Sequence, residues 1–191
     1  MKKIGLTGGI GTGKTYVAKI FQKFGIPVFC ADTNAKELLQ TNTKLINQVR
    51  KEFGSNIYLE GVLQSKELAD IVFREKSMLV KLNKLVHPHV NHSFISWCSN
   101  QESNLVIKEA AILFESNANI DLDIIICVSA PLDIRIKRVK KRDGVSEEHI
   151  QRVINNQMLQ SKKEKLSDFV IYNDEKKLIL PQIIEILKIL Q

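Results

Sequence analysis

Short apolar runs alternate with segments of helical periodicity along much of this chain, and the places where the alternation holds or fails set out its organisation. Runs near 3–7, 26–30, 105–109, 124–128 and 168–172 read as strands, each mostly apolar, as in sheets covered on both faces. After the first run, Val17, Ile20, Phe21 and Phe24 recur at helical spacing, and Gly25 stands where a helix closes. Strands interleaved with helices in this way predict an α/β fold with a parallel β-sheet core flanked by helices. Between Asp32 and about Asn104 the alternation fails. Several helices follow one another there without a convincing strand, punctuated by Gly54 and Gly61, and Pro88 is expected to break or kink the last long one. A second insertion follows 124–128 and reads as a helical hairpin. Pro131 opens a helix to about Lys141, Asp143-Gly144 turns the chain, and Ser146 caps a helix with Glu147 and Glu148 in its first turn. The C-terminal segment is helical, with Pro181 near its start.

The link between the first strand and the first helix changes the picture from fold to chemistry. Gly8-Gly9-Ile10-Gly11-Thr12-Gly13-Lys14-Thr15 fits the phosphate-loop pattern G-x-x-x-x-G-K-[ST] at every fixed position, with a strand feeding it and a helix leaving it. Gly8, Gly9, Gly11 and Gly13 let backbone N–H groups curl around anionic oxygens. Lys14 adds a charge for the β- and γ-phosphates, and the Thr15 hydroxyl is a ligand for Mg²⁺ bridging two phosphate oxygens. A nucleotide is therefore held by its phosphates.

Composition narrows the class. At 191 residues and 44% apolar content the chain can bury one substantial core, with small inserted subdomains. Its longest apolar stretch, Ile124 to Val128, is far too short to cross a bilayer, and Gly5, Thr7, Gly8 and Lys14 interrupt any secretory signal near Met1, so the expectation is a cytosolic protein with no membrane partner. Cys30, Cys98 and Cys127 lack metal or redox spacing and read as reduced packing residues. A net charge of +7 suits polyanions, but the basic runs carry no interleaved aromatics for stacking bases, and phosphorylated small molecules satisfy the charge equally well.

Several side chains are placed for chemistry. Asp32 follows the second strand, at the carboxyl edge where α/β folds bind ligands; it reads either as a base taking a proton from a substrate hydroxyl or as a helix N-cap. Glu109 ends the strand at 105–109 and either holds Mg²⁺ through water or is an ordinary exposed strand-end acid. Glu115 is a further candidate near the acceptor. Arg135, Arg138 and Arg142 share one helix face at i, i+3 and i+7, where guanidinium forks would meet ATP phosphates; Arg152 could converge on them, and a solvated basic face is the alternative. His87, His89 and His92 do not form a metal set, because Pro88 disturbs their spacing and no cysteine or carboxylate set completes a coordination sphere; they contact substrate or pack.

The phosphate loop is shared by kinases, GTPases and motor ATPases. No D-x-x-G or N-K-x-D occurs, which argues against a GTPase switch, and two helical insertions suit a small-molecule kinase, one holding the acceptor and the other closing over ATP. Another nucleoside or nucleotide kinase and a nucleic-acid-binding ATPase are the alternatives. The chain resembles the dephospho-coenzyme A kinase family nearly end to end. The resemblance lies in Ile4 through Thr15, Cys30-Ala31-Asp32, His87-Pro88, Glu109 through Glu115, and then Arg138, Arg142-Asp143-Gly144, Arg152, Gln157, Lys163 and Ser167 through Asn173. It implies a P-loop kinase fold with core segments 1–31, 105–130 and 166–191, an acceptor-binding insertion at 32–104 and a lid at 131–165. It implies transfer from ATP, with Mg²⁺, to the ribose 3′-hydroxyl of dephospho-CoA by a monomer that binds no nucleic acid. Asp32, Lys14 and Arg138 would be catalytic; Gly8 to Thr15, Tyr16, Arg142 and Asn173 would hold ATP; Asp32, His87 and Glu115 would hold the acceptor; Thr15 and Glu109 would serve the metal. The family's pattern has Asp, Pro and Asp where this chain has Cys30, Ala111 and Glu109.

Overall fold

The structure is a computed structural model that describes residues 1–190 and, within them, every side chain except those of Phe73 and Lys76. The chain divides into two compact units, one formed by Met1–Cys30 together with the chain from Gln101 onward, the other by Ala31–Asn100.

The first unit is built on five parallel strands: β1 (Lys2–Thr7), β2 (Val28–Cys30), β5 (Leu105–Glu109), β6 (Ile124–Ser129) and β7 (Phe169–Tyr172), in the order β2-β5-β1-β6-β7. Strand β1 is central because it is apolar on both faces. Ile4 and Leu6 are fully buried, and a Cβ at Gly5 would fall 2.7 Å from a Leu113 methyl. Helices α1 (Lys14–Lys23) and α9 (Ile179–Leu190) contribute Val17, Ala18, Phe21, Ile183, Ile186, Leu187 and Leu190 to the same core cluster as Ile4, Ile107, Ile126 and Ile171. The α9 residues fall at i, i+3, i+4 and i+7, the spacing of one helix face. Pro181 sits in the first turn of α9, where its missing N–H has no intrahelical role.

Parallel pairing sets the depth of the active edge. Cys30 of β2 lies opposite Glu109 of β5, which lies opposite Leu6 of β1, so the chain leaves three neighbouring strands at one level. After β6 come α6 (Leu132–Asp143), α7 (Glu147–Asn155) and α8 (Gln160–Lys165), so the expected hairpin is a run of three helices. Pro131 caps α6, Gly144 closes it in the left-handed region, and the Ser146 side chain accepts a hydrogen bond from the His149 N–H, as its position suggests. Gly25 likewise follows α1 with φ 77°. Strand β2 begins at Val28 rather than 26; Pro27 has no N–H to give a sheet, though its carbonyl accepts from Ile107 N at 2.9 Å.

The second unit contains α2 (Ala31–Thr41), α3 (Thr43–Phe53), a 3₁₀ turn, α4 (Ser65–Arg74) and α5 (Lys76–Ser99). It contains a strand pair where none was expected, and of the break or kink expected at Pro88 the break does not occur. A small antiparallel hairpin, β3 (Tyr58–Leu59) and β4 (Val62–Leu63), interrupts the helices. Its strands are too short to show alternation, but Glu60 and Gly61 both have positive φ, 48° and 81°, the conformation of a tight hairpin turn. Pro88 does not break α5, which runs for 24 residues around it. Val86, Val90, Phe94 and Cys98 are all buried at four-residue intervals, and this continuous apolar stripe outweighs the single backbone hydrogen bond that proline removes.

Candidate active site

The phosphate loop leaves β1 and ends at Gly13, which caps α1 with φ 93° and no side-chain capping bond. The first N–H groups of that helix are thus directed to an anion, with the helix dipole behind them. The glycines answer to neighbours as well as to φ. A Cβ at Gly13 would run into Asn173 Nδ2, and one at Gly11 (φ 79°) would lie 2.6 Å from the Arg135 carbonyl oxygen. The loop is closed on itself by Thr12, fully buried, whose hydroxyl donates to Gly9 O at 2.9 Å. Lys14 is almost completely buried, whereas Thr15 and Tyr16 are exposed.

The three arginines of α6 separate into three roles. Arg135 is buried and donates from Nε to Ile10 O at 2.8 Å; burial lowers its pKa from the usual guanidinium value. Arg138 donates from Nη2 to Asn173 Oδ1 and Glu175 Oε1, both at 3.2 Å, while its buried Nη1 has no hydrogen-bond partner among the described residues. A buried, unpaired guanidinium N–H is costly unless an anion completes it. Arg142 is exposed and forks onto Asp143 at 2.7 Å through both Nε and Nη2, which holds the Asp143 carboxyl below its ordinary range. Asn173, expected to hold ATP, donates from Nδ2 to Thr12 O at 2.8 Å and so ties the end of β7 to the loop.

Glu109 is 6% exposed at the end of β5, so the exposed strand-end alternative is ruled out. Glu115 accepts from Met158 N at 2.7 Å and pairs with Lys163 Nζ at 2.7 Å. Lys163 has no exposed surface and also donates to Ala111 O at 2.6 Å. Sequence reasoning named Glu115 for the acceptor and Lys163 and Gln157 only within the family pattern, and did not single out Gln160; Gln160, Lys163 and Glu164 fall at helical spacing within or beside α8, which is the signal that could have found Gln160. Cys127 is buried, accepts from Gln160 Nε2 at 3.2 Å, and has its thiol pushed up to about 11 by burial, as an inert packing cysteine should.

In the helical unit Asp32 is exposed in the first turn of α2, which begins at Ala31. It is therefore inside the helix rather than its N-cap, because the helix starts directly where β2 stops. His87 lies on α5, and His89 Nε2 is 3.1 Å from Gln48 Oε1. A cleft of about 480 Å³ between α3 and α5 is lined by Asn42, Lys44, Gln48, Lys84, His89 and His92 among others, with no carboxylate among its described lining residues. Burial, then Lys44 and His92, lower the His89 pKa below the usual imidazole value. Among the described residues no group of three or more His, Cys, Asp or Glu could cage a metal, and no helix is long and apolar enough to cross a membrane.

The dephospho-CoA kinase family model matches residues 2–178. The chain belongs to the dephospho-CoA kinase family. A member from Bacteroides fragilis (strain YCH46) is 34% identical over 189 residues, covering 98% of this chain and 92% of that protein. One from Porphyromonas gingivalis is 36% identical over 189 residues, covering 98% and 94%. Among solved structures, one from Thermus thermophilus aligns with a TM-score of 0.84 at 30% identity, covering 99% of this chain and 95% of that one. The dephospho-CoA kinase of Campylobacter jejuni aligns at 0.67 and 26% identity, covering 100% and 96%. A shikimate kinase from Bacteroides thetaiotaomicron aligns at 0.52 with 14% identity, which speaks for the P-loop kinase fold alone. Membership gives the family motifs in this chain their setting: a kinase whose donor loop is braced from β7 and α6.

Proposed function

We propose that the protein transfers the γ-phosphoryl group of ATP to the ribose 3′-hydroxyl of dephospho-CoA, completing coenzyme A, with Asp32 as the base. The observation that carries the donor half is the phosphate loop capped by Gly13 together with the Nη1 of Arg138, which has no hydrogen-bond partner among the described residues. Phosphoryl transfer asks a protein mainly for positioning and for charge stabilisation, and both are supplied by fixed dipoles and a guanidinium. Gly8, Gly9, Gly11, Thr12, Gly13, Lys14, Thr15 and Tyr16 form the ATP cradle, while Asn173 supports it through Thr12. Arg142 reaches ATP only by leaving Asp143.

Asp32 stands two residues past Cys30, the residue in register with Glu109, and is exposed in the first turn of α2. As a carboxylate it orients the acceptor hydroxyl and accepts its proton as the new O–P bond forms, while ADP leaves. His87 and Glu115 were expected at the acceptor; the bonds of Glu115 to Lys163 and Met158 give it a bracing role, and His87 is kept as an acceptor contact. The basic cleft of the helical unit suits a substrate that carries a diphosphate. Residues 32–104 thus serve the acceptor, and the helices at 131–165 serve as the lid, in a monomer that handles small molecules.

The donor set fits Mg²⁺. Thr15 and Glu109 offer hard oxygens, and a metal that keeps its waters and phosphate ligands needs no protein cage. When bound, it spreads charge over β- and γ-phosphate oxygens. The test is a coupled assay with ATP, Mg²⁺ and dephospho-CoA: CoA formation is expected, and faster turnover of a nucleoside monophosphate with no CoA formed would overturn the reading.

A further inference from the structure

The phosphate loop has an outer face as well as an inner one. The Gly9 N–H donates to Gln160 Oε1 at 3.0 Å, and the Ile10 N–H donates to Gln157 Oε1 at 2.9 Å. The Ile10 carbonyl is taken at the same time by Arg135 Nε at 2.8 Å. Both backbone groups of Ile10 are therefore held by side chains more than a hundred residues away in sequence. Gln160 cannot turn its amide over without loss, since Nε2 donates to Val128 O and Cys127 Sγ, each at 3.2 Å.

These side chains come from the two roots of the helical excursion after β6. Arg135 belongs to the second turn of α6, and Gln157 and Gln160 flank the start of α8. Helix α8 is itself pinned: fully buried Lys163 pairs with Glu115, and Glu164 Oε1 accepts from the Ser129 hydroxyl at 2.6 Å. The root at 157–165 is therefore fastened to the frame of the sheet at several points. Successive peptide planes in a tight loop are linked, and the Thr12 N–H returns to Gly9 O at 3.3 Å, so an N–H held outward at Gly9 and Ile10 constrains the planes that follow from Gly13 to Thr15.

We infer that Gln157 and Gln160 are positioning residues for the phosphoryl donor: they hold the outer N–H groups of the phosphate loop so that its inner N–H groups meet the ATP phosphates, and with Arg135 they tie that geometry to the helices after β6. The inference rests on the kinase reading only for its turnover readout, because ATP binding can be followed without an acceptor.

The test uses the full chain with Gln157→Met, Gln160→Met and the double variant. Methionine keeps the length and removes the acceptor. Binding of a fluorescent ATP analogue, KM for ATP, KM for dephospho-CoA and thermal unfolding are measured for each. Loss of one such hydrogen bond is expected to weaken ATP binding and raise its KM about five- to tenfold in each single variant. The double variant should depart from additivity, since the two bonds hold adjacent residues of one loop. The KM for dephospho-CoA should stay within twofold. ATP binding within twofold of the unsubstituted protein in folded Gln157→Met would overturn the inference, as would an equal rise in both KM values. Gln157 lies in the turn between helices, so it remains testable if Gln160→Met does not fold. An unsubstituted protein that binds ATP but does not phosphorylate dephospho-CoA would instead count against the function, and the binding arm would still decide the clamp.

Discussion

The unit around the phosphate loop and the helical unit 31–100 are built on different physics. In the first, the phosphate-loop backbone is braced by Gln157, Gln160, Arg135 and Asn173, and fully buried Lys163, paired with Glu115, anchors α8. In the second, amphipathic helices pack along an apolar stripe, and the cleft chemistry is the charge of Lys44 and Lys84 at an open surface beside His89 and His92. On the proposed reading, the triphosphate meets groups braced by one another, and the acceptor meets long or exposed side chains that move independently. A preformed backbone cradle needs many partners, whereas a basic cleft needs only the right sign of charge.

Substitutions that strike one unit and spare the other sharpen this contrast. The largest effect is expected from Asp32→Asn, which should lower kcat by about 10²–10⁴-fold with ATP binding unchanged, as for loss of a general base. Near-normal turnover would remove Asp32 from the chemistry. Next comes Glu115→Ala, which strands a fully buried ammonium and should destabilise the protein by about 3–5 kcal/mol. Denaturant unfolding checks it, and a normal midpoint with a raised KM for dephospho-CoA would return Glu115 to the acceptor. A smaller change, a rise of about three- to tenfold in the acceptor KM with the ATP KM unchanged, is expected for Lys44→Ala or Lys84→Ala, the scale of single charged contacts. Equal effects on both substrates would erase the division between units.

The smallest effect concerns pH. Folding lowers the His89 pKa, so below its ordinary value of about 6.5 the unfolded chain binds the proton more readily. The contribution is present above that value and is lost as pH falls through the lowered one. Thermal unfolding of the native protein should therefore decline from pH 7.5 to 5.5 slightly more than that of His89→Gln, and parallel profiles would show that His89 does not sense the cleft.

Much of this was legible beforehand, for identifiable reasons. The five core strands are short apolar runs bounded by glycine, proline or polar residues, and the phosphate loop is a local motif whose chemistry depends on adjacent residues. The hairpin at 58–63 was not legible, because two-residue strands carry no period. Local propensity at Pro88 allows a break or a kink, and packing along Val86, Val90 and Phe94 is what carries the helix through without a break. Arg135, Arg138 and Arg142 share a face in sequence, yet burial assigns one to the loop, leaves one with a buried donor unpaired among the described residues and turns the third to solvent.

By itself, then, the sequence determined the α/β class, the phosphate loop and the family, since each rests on contiguous residues or on motifs in order. Only the tertiary structure decided what holds the loop in shape. The partners of Gly9, Ile10 and Thr12 lie near the other end of the chain, at Gln160, Gln157, Arg135 and Asn173. Hydrogen bonds across such separations leave no period in the sequence, because parallel strand pairing, not spacing along the chain, brings their ends to one edge.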